Sequence, residues 1–267
     1  MRVMFIGDIF AKAGRRAIVE NLERIKKEEQ IDLVIANGEN ASHGRSLTQE
    51  NYDQLVEAGV NLFTMGNHTW DNRLAYAVLK NNPNIIRPLN VKQSSKEAKY
   101  GYGSAVYDID GTKIRLTNLV SLQCYTRNAK LVNPFKVMDK LLNLKENELQ
   151  DIHIVDFHAE TTSEKKAFLY AFAGKVQMIV GTHTHVQTSD EQIYKNTAFI
   201  TDLGMCGAKE SIIGAQPDQI VAMFKGEREH FRLEPAKGAY QFNSVIVDFD
   251  KKTHKPVKIW RYNINNN

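Results

Sequence analysis

One segment decides how the rest of the chain is interpreted: Thr64-Met65-Gly66-Asn67-His68-Thr69-Trp70-Asp71, which follows the apolar pair Leu62-Phe63. We predict that a buried strand ends here and opens into a loop. At such a strand end, Asn67 can offer a metal ion its neutral carbonyl oxygen, and His68 can donate a proton to a departing alkoxide. Alone, this pair is a weak indication of phosphate ester chemistry. The interpretation depends on whether other strand ends carry metal-ligand residues too.

Metal-ligand residues also follow four other short apolar runs. These runs are residues 3–6 before Asp8, 33–36 before Glu39 and Asn40, 152–157 before His158, and 178–180 before His183 and His185. Ligands of open α/β sheets gather outside the carboxyl ends of parallel strands, so these side chains are expected to converge. His183 and His185 are two positions apart, so extended backbone would direct both to the same side.

The residue types at these strand ends limit the kind of metal site. Asp, Glu, Asn and His without cysteine suit Mn, Fe, Zn or a similar ion, and the sequence does not choose among them. The set is too large for one tetrahedral zinc site and too small for two closed structural sites. It suits two adjacent metal ions that share a bridging carboxylate and leave positions open for water and substrate.

The bulk composition predicts a cytoplasmic protein. The net charge of +4 is spread along 267 residues, so stable nucleic-acid binding is not indicated. Cys124 and Cys206 stand in no metal-binding or redox spacing, which favours a reduced compartment. The N-terminus turns polar at Asp8, too soon for a signal peptide. No apolar run approaches the roughly 20 residues of a membrane helix, so no membrane association is predicted.

The alternation of apolar strands with amphipathic helices over residues 3–63 predicts a parallel sheet buried on both faces. Thr48 is predicted to cap the second of these helices. Asp110-Gly111 is a hairpin signal between two strand-like runs. Residues 257–262 are predicted to form the last strand, and the polar tail 263–267 is expected to fray. The whole pattern predicts one domain, with a sheet core and helices outside.

At these positions the sequence resembles the binuclear, calcineurin-like metallophosphoesterases, most closely the bacterial YmdB branch, which is linked to hydrolysis of 2′,3′-cyclic nucleotide phosphodiesters. The resemblance covers nearly the whole chain. It is carried by five blocks in order: Phe5-Ile6-Gly7-Asp8, Asn37-Gly38-Glu39-Asn40-Ala41, Met65-Gly66-Asn67-His68-Thr69-Trp70-Asp71, Asp156-Phe157-His158-Ala159-Glu160 and Gly181-Thr182-His183-Thr184-His185-Val186-Gln187. It implies an α/β four-layer sandwich of two mixed β-sheets flanked by helices, forming a single metallophosphoesterase domain over residues 1–267.

The resemblance also implies a role for each site residue. One metal ion would be held by Asp8, Glu39, Asn40 and His185, and Glu39 would bridge to a second ion held also by Asn67, His158 and His183. His68 would be the proton donor. Phe10 stands where the wider superfamily has a histidine, and Glu39-Asn40 replaces its bridging aspartate block; both departures match the YmdB branch. Asn40 remains open to a second interpretation as a turn residue bonded to the backbone.

The sequence therefore predicts a metal-dependent phosphodiesterase with two divalent or di/trivalent ions (Fe, Mn or Zn), in which a metal-bridging hydroxide attacks phosphorus and His68 protonates the leaving oxygen. A small phosphodiester, from the resemblance a 2′,3′-cyclic nucleotide, is the expected substrate, and a homo-oligomer is compatible with the sequence. The alternative is a metal-binding regulatory or scaffold protein that acts through RNA-processing or signalling partners with little hydrolysis. His153, His230 and His254 are predicted to be structural or surface residues.

Overall fold

The computed structural model describes residues 1–127, 129–144, 149–227 and 234–266, so the predicted surface residue His230 lies outside the described residues. Over this part the elements in chain order are β1 (Arg2–Ile6), β2 (Asp8–Ile9), α1 (Ala11–Glu28), β3 (Leu33–Asn37), α2 (Gln49–Glu57), β4 (Leu62–Thr64), α3 (Ala75–Asn81), β5 (Ile85–Ile86), a 3₁₀ turn (Glu97–Lys99), β6 (Ser104–Ile109), β7 (Thr112–Val120), α4 (Pro134–Leu142), β8 (Ile152–His158), α5 (Thr162–Phe172), β9 (Met178–Thr182), β10 (Gln192–Tyr194), β11 (Thr197–Ile200), β12 (Met205–Ala208), α6 (Pro217–Phe224), β13 (Tyr240–Phe249) and β14 (Pro256–Asn265).

Two mixed sheets form the centre of the protein. The first has the strand order β2-β12-β13-β1-β3-β4-β5, with β14 paired to β13, and the second has the order β10-β11-β9-β8-β7-β6. In the first sheet β1, β3 and β4 run parallel, and in the second β7, β8, β9 and β11 do. The carboxyl ends of β1, β3 and β4 therefore lie together, and so do those of β8 and β9.

Alternate residues of the central strands build three apolar layers. Between the sheets, Phe5 and Ile35 of the first sheet join the same buried cluster as Ile154 and Val180 of the second. The opposite face of the first sheet packs under α1, α2 and α3. The opposite face of the second sheet packs under α4 and α5. Helices cover both outer faces, so the predicted four-layer sandwich of two mixed sheets is confirmed.

Local sequence signals explain several element boundaries. The hydroxyl of Thr48 accepts a hydrogen bond from the N–H of Asn51 at 3.4 Å and caps α2, as predicted. Asp110 and Gly111 both have positive φ values, 49° and 82°, which is the backbone that a tight hairpin turn requires. They join β6 to β7 in an antiparallel pair, so this hairpin is confirmed.

The prediction that the tail frays is wrong as far as Asn265. β14 continues to that residue and pairs with β13 along its length. The physical reason is an alternation that the polar tail obscures: Trp260, Tyr262 and Ile264 all lie on one face of the strand and pack onto the outer core of the first sheet. Among the described helices, none combines the length and the apolarity needed to cross a membrane.

Candidate metal centre

The inward faces of the central strands change from apolar to polar at their carboxyl ends. β8 places Ile152 and Ile154 in the core between the sheets, and the same face continues with Asp156 and His158, which are both fully buried. A buried polar or ionisable group is costly unless its hydrogen-bonding groups are satisfied. The polar end of the sandwich interior must therefore satisfy itself internally or bind a ligand.

Four of the predicted ligands meet in one cluster at this end. Nε2 of His158 lies 3.1 Å from Oε1 of Glu39 and 2.8 Å from Oδ1 of Asn67. It also lies 3.0 Å from Nδ1 of His183. The ligand atoms of Glu39, His158 and His183 all lie within 4.8 Å of one another. Three different loops and β8 thus direct their donor atoms to a single point.

The histidines are held from outside the cluster by hydrogen-bonding groups on their far nitrogens. Nε2 of His183 lies 2.8 Å from the Glu160 carboxylate. Nδ1 of His185 lies 2.8 Å from the main-chain carbonyl of Ile213, which can only accept, so this nitrogen carries the hydrogen. Such outer partners fix the tautomer and leave the other nitrogen with a free lone pair for a metal ion.

Asp8 and His185 form a second group beside the cluster. Oδ2 of Asp8 accepts the main-chain N–H of His183 at 3.2 Å, whereas its Oδ1 has no hydrogen-bond partner among the described residues. Nε2 of His185 lies 3.8 Å from that Oδ1. Burial raises the pKa of Asp8 to about 6, although the nearby histidines oppose the shift. A fully buried carboxylate oxygen that faces an imidazole lone pair is a pair of donors that a cation would satisfy.

Asn40 has features of both interpretations that the sequence left open. Its side-chain N–H donates to the carbonyl of Gly44 at 3.0 Å, which is the expected turn bond. Its Oδ1 is buried and has no partner in the described part of the chain, so this oxygen is free to bind a cation.

His68 lies at the border of the cluster rather than within it. Its main-chain N–H donates to Oε2 of Glu39 at 2.9 Å, and its Nδ1 lies 2.9 Å from Oδ2 of Asp71. The ring is partly exposed. Burial disfavours the charged ring, but the Asp71 carboxylate and Glu39 outweigh burial and raise the pKa of His68 above its ordinary value. A partly exposed, readily protonated imidazole is suited to donate a proton.

The charges of the cluster are strongly coupled. Burial opposes ionisation of Glu39, yet the adjacent His158 ring holds the pKa of Glu39 well below its usual range. Burial likewise disfavours a charged His158, but Glu39 outweighs it and raises the pKa of His158 to about 9. Burial and the neighbouring His158 charge lower the pKa of His183 to about 3. One protonated ring therefore balances Glu39, in the place where a metal ion would supply positive charge.

The expectation that extended backbone directs both late histidines to one side is wrong. β9 ends at Thr182, and the next residues turn: His183 has a φ of 98° and His185 a φ of 66°. Such left-handed backbone in residues other than glycine costs roughly 1–3 kcal/mol each and persists only where the surroundings enforce it. As a result His183 contacts the cluster while His185 contacts Asp8.

A buried ion pair holds this strained turn in place. Both the N–H and the hydroxyl of Thr184 donate to Oδ2 of Asp202, at 3.2 and 2.7 Å. The same oxygen accepts from Nζ of Lys165 at 2.6 Å, and both charged side chains are 1% exposed. The Lys165–Asp202 pair therefore fixes the residue between the two histidines.

Gly66 makes room for the cluster. A Cβ atom at this position would lie 2.3 Å from Oε2 of Glu39 and 2.6 Å from the His158 ring. These distances are shorter than any real Cβ contact, so a side chain here would displace two of the cluster residues. The glycine in the first motif is thus required by close approach and not by turn geometry.

The donor set fits metal ions. Oxygen and imidazole donors converge, their lone pairs point inward, and the buried oxygens of Asp8 and Asn40 are unsatisfied within the described residues. Glu39, Asn67, His158 and His183 would hold one ion. The sequence resemblance assigns Asp8, His185 and Asn40 to the other ion together with Glu39, and Nε2 of His185 lies 3.8 Å from Oδ1 of Asp8.

Sequence reasoning did not identify the residues that support the ligands and the proton donor. Asp71 and Glu160 lie inside the quoted blocks, three positions after His68 and two after His158, so proximity along the chain was an available signal. No sequence signal indicated the contact with the carbonyl of Ile213, because any residue type supplies a main-chain acceptor. No sequence signal indicated Asp202 either, since its contact with Thr184 depends on tertiary structure.

Known proteins resemble this chain over nearly its whole length. A model of the family described as YmdB-like protein matches residues 4–262. A Mycoplasma pneumoniae protein with the provisional name phosphatase/phosphodiesterase is 46% identical over 261 residues, covering 97% of this chain and 91% of that protein. The Bacillus subtilis protein named 2′,3′-cyclic-nucleotide 2′-phosphodiesterase is 38% identical over 266 residues, covering 99% of this chain and 97% of that protein. A crystal structure described as a novel phosphatase from Mycoplasma pneumoniae has a TM-score of 0.93 at 45% identity, covering 100% of this chain and 94% of that chain.

Proposed function

This chain belongs to the family of YmdB-like proteins, and from that membership we propose that it is a metal-dependent phosphodiesterase whose substrates are 2′,3′-cyclic nucleotides. The observation that carries the proposal is that a ligand cluster and a proton donor lie side by side. A cluster of Glu39, Asn67, His158 and His183 faces one point, and His68, supported by Asp71, borders it through a direct hydrogen bond to Glu39.

The ligand set defines where the substrate would bind. When bound, the two ions supply Lewis-acid chemistry, which polarises a phosphoryl oxygen and lowers the pKa of the attacking water. Asp8 and Glu39 are the carboxylates among the proposed ligands, so they return only part of the charge that two divalent ions bring. The remaining positive charge favours an anionic phosphate ester.

His68 supplies the proton for the leaving oxygen. A protonated ring donates from Nδ1 to Asp71, which holds the imidazole plane and leaves the hydrogen on Nε2 available. Its hydrogen bond to Asp71 and the nearby Glu39 raise the pKa of His68, which favours the protonated ring that a general acid requires. Ring opening of a cyclic phosphodiester releases a ribose oxygen, a poor leaving group that benefits from this proton.

The cyclic nucleotide is the finer part of the proposal. It is supported by the name of the Bacillus subtilis relative and by the agreement of its length with this chain. The broader phosphodiesterase chemistry is supported by the site itself, since donors for two ions and a proton donor are the parts that hydrolysis of a phosphate diester needs.

The test is hydrolysis by purified, Mn²⁺-loaded protein of 2′,3′-cyclic AMP, 3′,5′-cyclic AMP and an aryl phosphodiester. We expect turnover of the 2′,3′-cyclic compound and of the aryl diester, and loss of both in Glu39→Gln. The matched control is Glu28→Gln, which removes an exposed carboxylate on α1 and should change neither activity. Hydrolysis of the aryl diester alone would refute the cyclic nucleotide, and no hydrolysis of any compound would refute the phosphodiesterase.

A further inference from the structure

One buried carboxylate joins the carboxyl ends of the two sheets beneath the cluster. Asp156 is fully buried, and its two oxygens accept three side-chain hydrogen bonds. Thr182, the last residue of β9, donates to Oδ1 at 2.7 Å. Thr64 and Asn37, the last residues of β4 and β3, donate to Oδ2 at 2.5 and 3.1 Å. Asp156 thus connects strands of the first sheet to strands of the second.

The contact through Thr182 reaches His158. A threonine hydroxyl has one hydrogen, and here that hydrogen points to the Asp156 carboxylate, which can only accept. Oγ1 of Thr182 lies 2.8 Å from Nδ1 of His158 and must therefore accept from it. A neutral His158 keeps its hydrogen on Nδ1, so its Nε2 lone pair points toward the cluster.

The contact through Asn37 reaches Glu39. The Asn37 side-chain N–H donates to Asp156 and to the carbonyl of Met65, both at 3.1 Å. Its Oδ1 accepts the main-chain N–H of Glu39 at 3.1 Å. The amide orientation is set because each of its atoms has a partner of the required kind. Asp156 therefore has a path of hydrogen bonds to two different cluster residues, one from each sheet.

We propose that Asp156 is a positioning residue for the metal centre: through Thr182 it directs the Nε2 lone pair of His158 into the cluster, and through Asn37 it places Glu39 opposite. This inference rests on the proposed metal-dependent function. The position argues for it, because Ile152 and Ile154 fill the inward face of β8 up to Asp156. A carboxylate among such neighbours costs stability that an apolar residue would not, unless its hydrogen bonds satisfy it.

Two nearly isosteric variants break the hydrogen-bond path from Asp156 through Thr182 to His158 in different ways. Thr182→Val removes the hydroxyl and leaves Nδ1 of His158 without an acceptor. In Asp156→Asn, Thr64 and Asn37 still require an acceptor at the position of Oδ2, so the amide oxygen lies there. The new NH₂ group therefore faces Thr182. The Thr182 hydroxyl then turns to donate to Nδ1 of His158, which moves the ring hydrogen to Nε2, where a metal ion would bind.

The measurement is Mn²⁺ affinity of the full-length, metal-free protein by isothermal titration calorimetry. Loss of an outer partner of a metal ligand typically costs about 10- to 100-fold in affinity, so both variants should weaken Mn²⁺ binding by that factor. Thr182→Ser retains the hydroxyl and should restore affinity to near the wild-type value. This rescue distinguishes positioning from packing, because serine lacks the methyl group that packs.

Thr197→Val is the matched control. Thr197 is also fully buried and starts β11 at the opposite end of the same sheet, where its hydroxyl donates to the carbonyl of Val176 at 2.5 Å and accepts from Gly174. It should lose thermal stability as Thr182→Val does but keep its Mn²⁺ affinity.

Wild-type affinity in Thr182→Val and Asp156→Asn, or an equal loss in Thr197→Val, would overturn the inference while the proposed function stands. If Thr182→Val does not fold, the comparison of Asp156→Asn with Thr182→Ser decides the matter in the same way. Wild-type protein that binds no Mn²⁺ would instead overturn the proposed function and, with it, the role of Asp156.

Discussion

Replacing His68 by alanine tests whether this residue donates a proton without taking part in metal binding. The His68 ring contacts Asp71, and the link from this residue to the ligands is its main-chain N–H, which bonds Glu39 at 2.9 Å. Alanine keeps that N–H. We therefore expect His68→Ala to retain its metal ions and to lose only the proton donated to the leaving oxygen.

The size of the loss follows from that single missing step. General acid catalysis contributes about 10²–10⁴ in rate, which is roughly 3–5 kcal/mol of transition-state stabilisation. The loss should appear in full with a ribose leaving group. With p-nitrophenolate, which departs as a stable anion, the variant should stay within about tenfold of wild type.

The assay compares kcat for 2′,3′-cyclic AMP and bis(p-nitrophenyl) phosphate across a pH series, with metal content measured on each sample. Asp71 raises the pKa of His68, so wild-type activity on the cyclic substrate should fall only when the pH rises through that raised value. His68→Ala should lack this basic limb. His254→Ala is the control, because it removes a histidine that faces a carboxylate, Asp151, at 3.5 Å on the surface. Equal losses on the two substrates, or lost metal in His68→Ala, would refute the role of proton donor.

Three further outcomes are expected. Between about pH 6 and pH 9, Mn²⁺ affinity should rise about tenfold per pH unit, because Glu39 raises the pKa of His158 to about 9 and the ring must release a proton to bind, whereas Asp8, with a pKa of about 6, is already ionised; calorimetry in buffers of different ionisation enthalpy measures that proton. Lys165→Met should cost about 3–5 kcal/mol of unfolding free energy in urea, since it leaves the charge of Asp202 buried and unpaired. Gly66→Ala should abolish Mn²⁺ binding in the same titration, because its Cβ would displace Glu39.

Neighbouring residues provide the controls for two of these outcomes. Lys166 pairs with Asp190 at a partly exposed site, so Lys166→Met should cost less than about 1 kcal/mol. A Cβ on Gly38 would make only ordinary contacts at 3.4 Å, so Gly38→Ala should keep Mn²⁺ binding. A Lys165→Met protein as stable as Lys166→Met, a Gly66→Ala protein that binds Mn²⁺ normally, or a pH-independent affinity would each contradict the corresponding argument.

The sequence was sufficient for features with a local signature. A strand that ends in a polar residue is visible as an apolar run with an abrupt stop, which is why Asp8, Glu39, Asn67 and His158 could all be predicted at strand ends. The helix cap at Thr48 follows in the same way from chemistry within a few residues.

Features that depend on distant pairing could not be predicted. β13 lies between β1 and β12 and pairs Val3 with Val247, a register that leaves no trace in either segment alone. The left-handed turns at His183 and His185 are held by the hydrogen bond from Thr184 to Asp202. Asp202 lies too far along the chain from Thr184 for a local sequence pattern to reveal this contact. Asp156 was visible as a residue but not as a link between sheets, because its partners come from three other strands.

Anomalous diffraction from crystals grown with Mn²⁺ tests the central claim most directly. We expect two manganese peaks, one within bonding distance of Asn67, His158 and His183 and the other beside Asp8 and His185, with the Glu39 carboxylate between them. A single peak remote from Glu39, or no peak in crystals of protein that was loaded with Mn²⁺, would contradict a binuclear centre at this end of the sandwich.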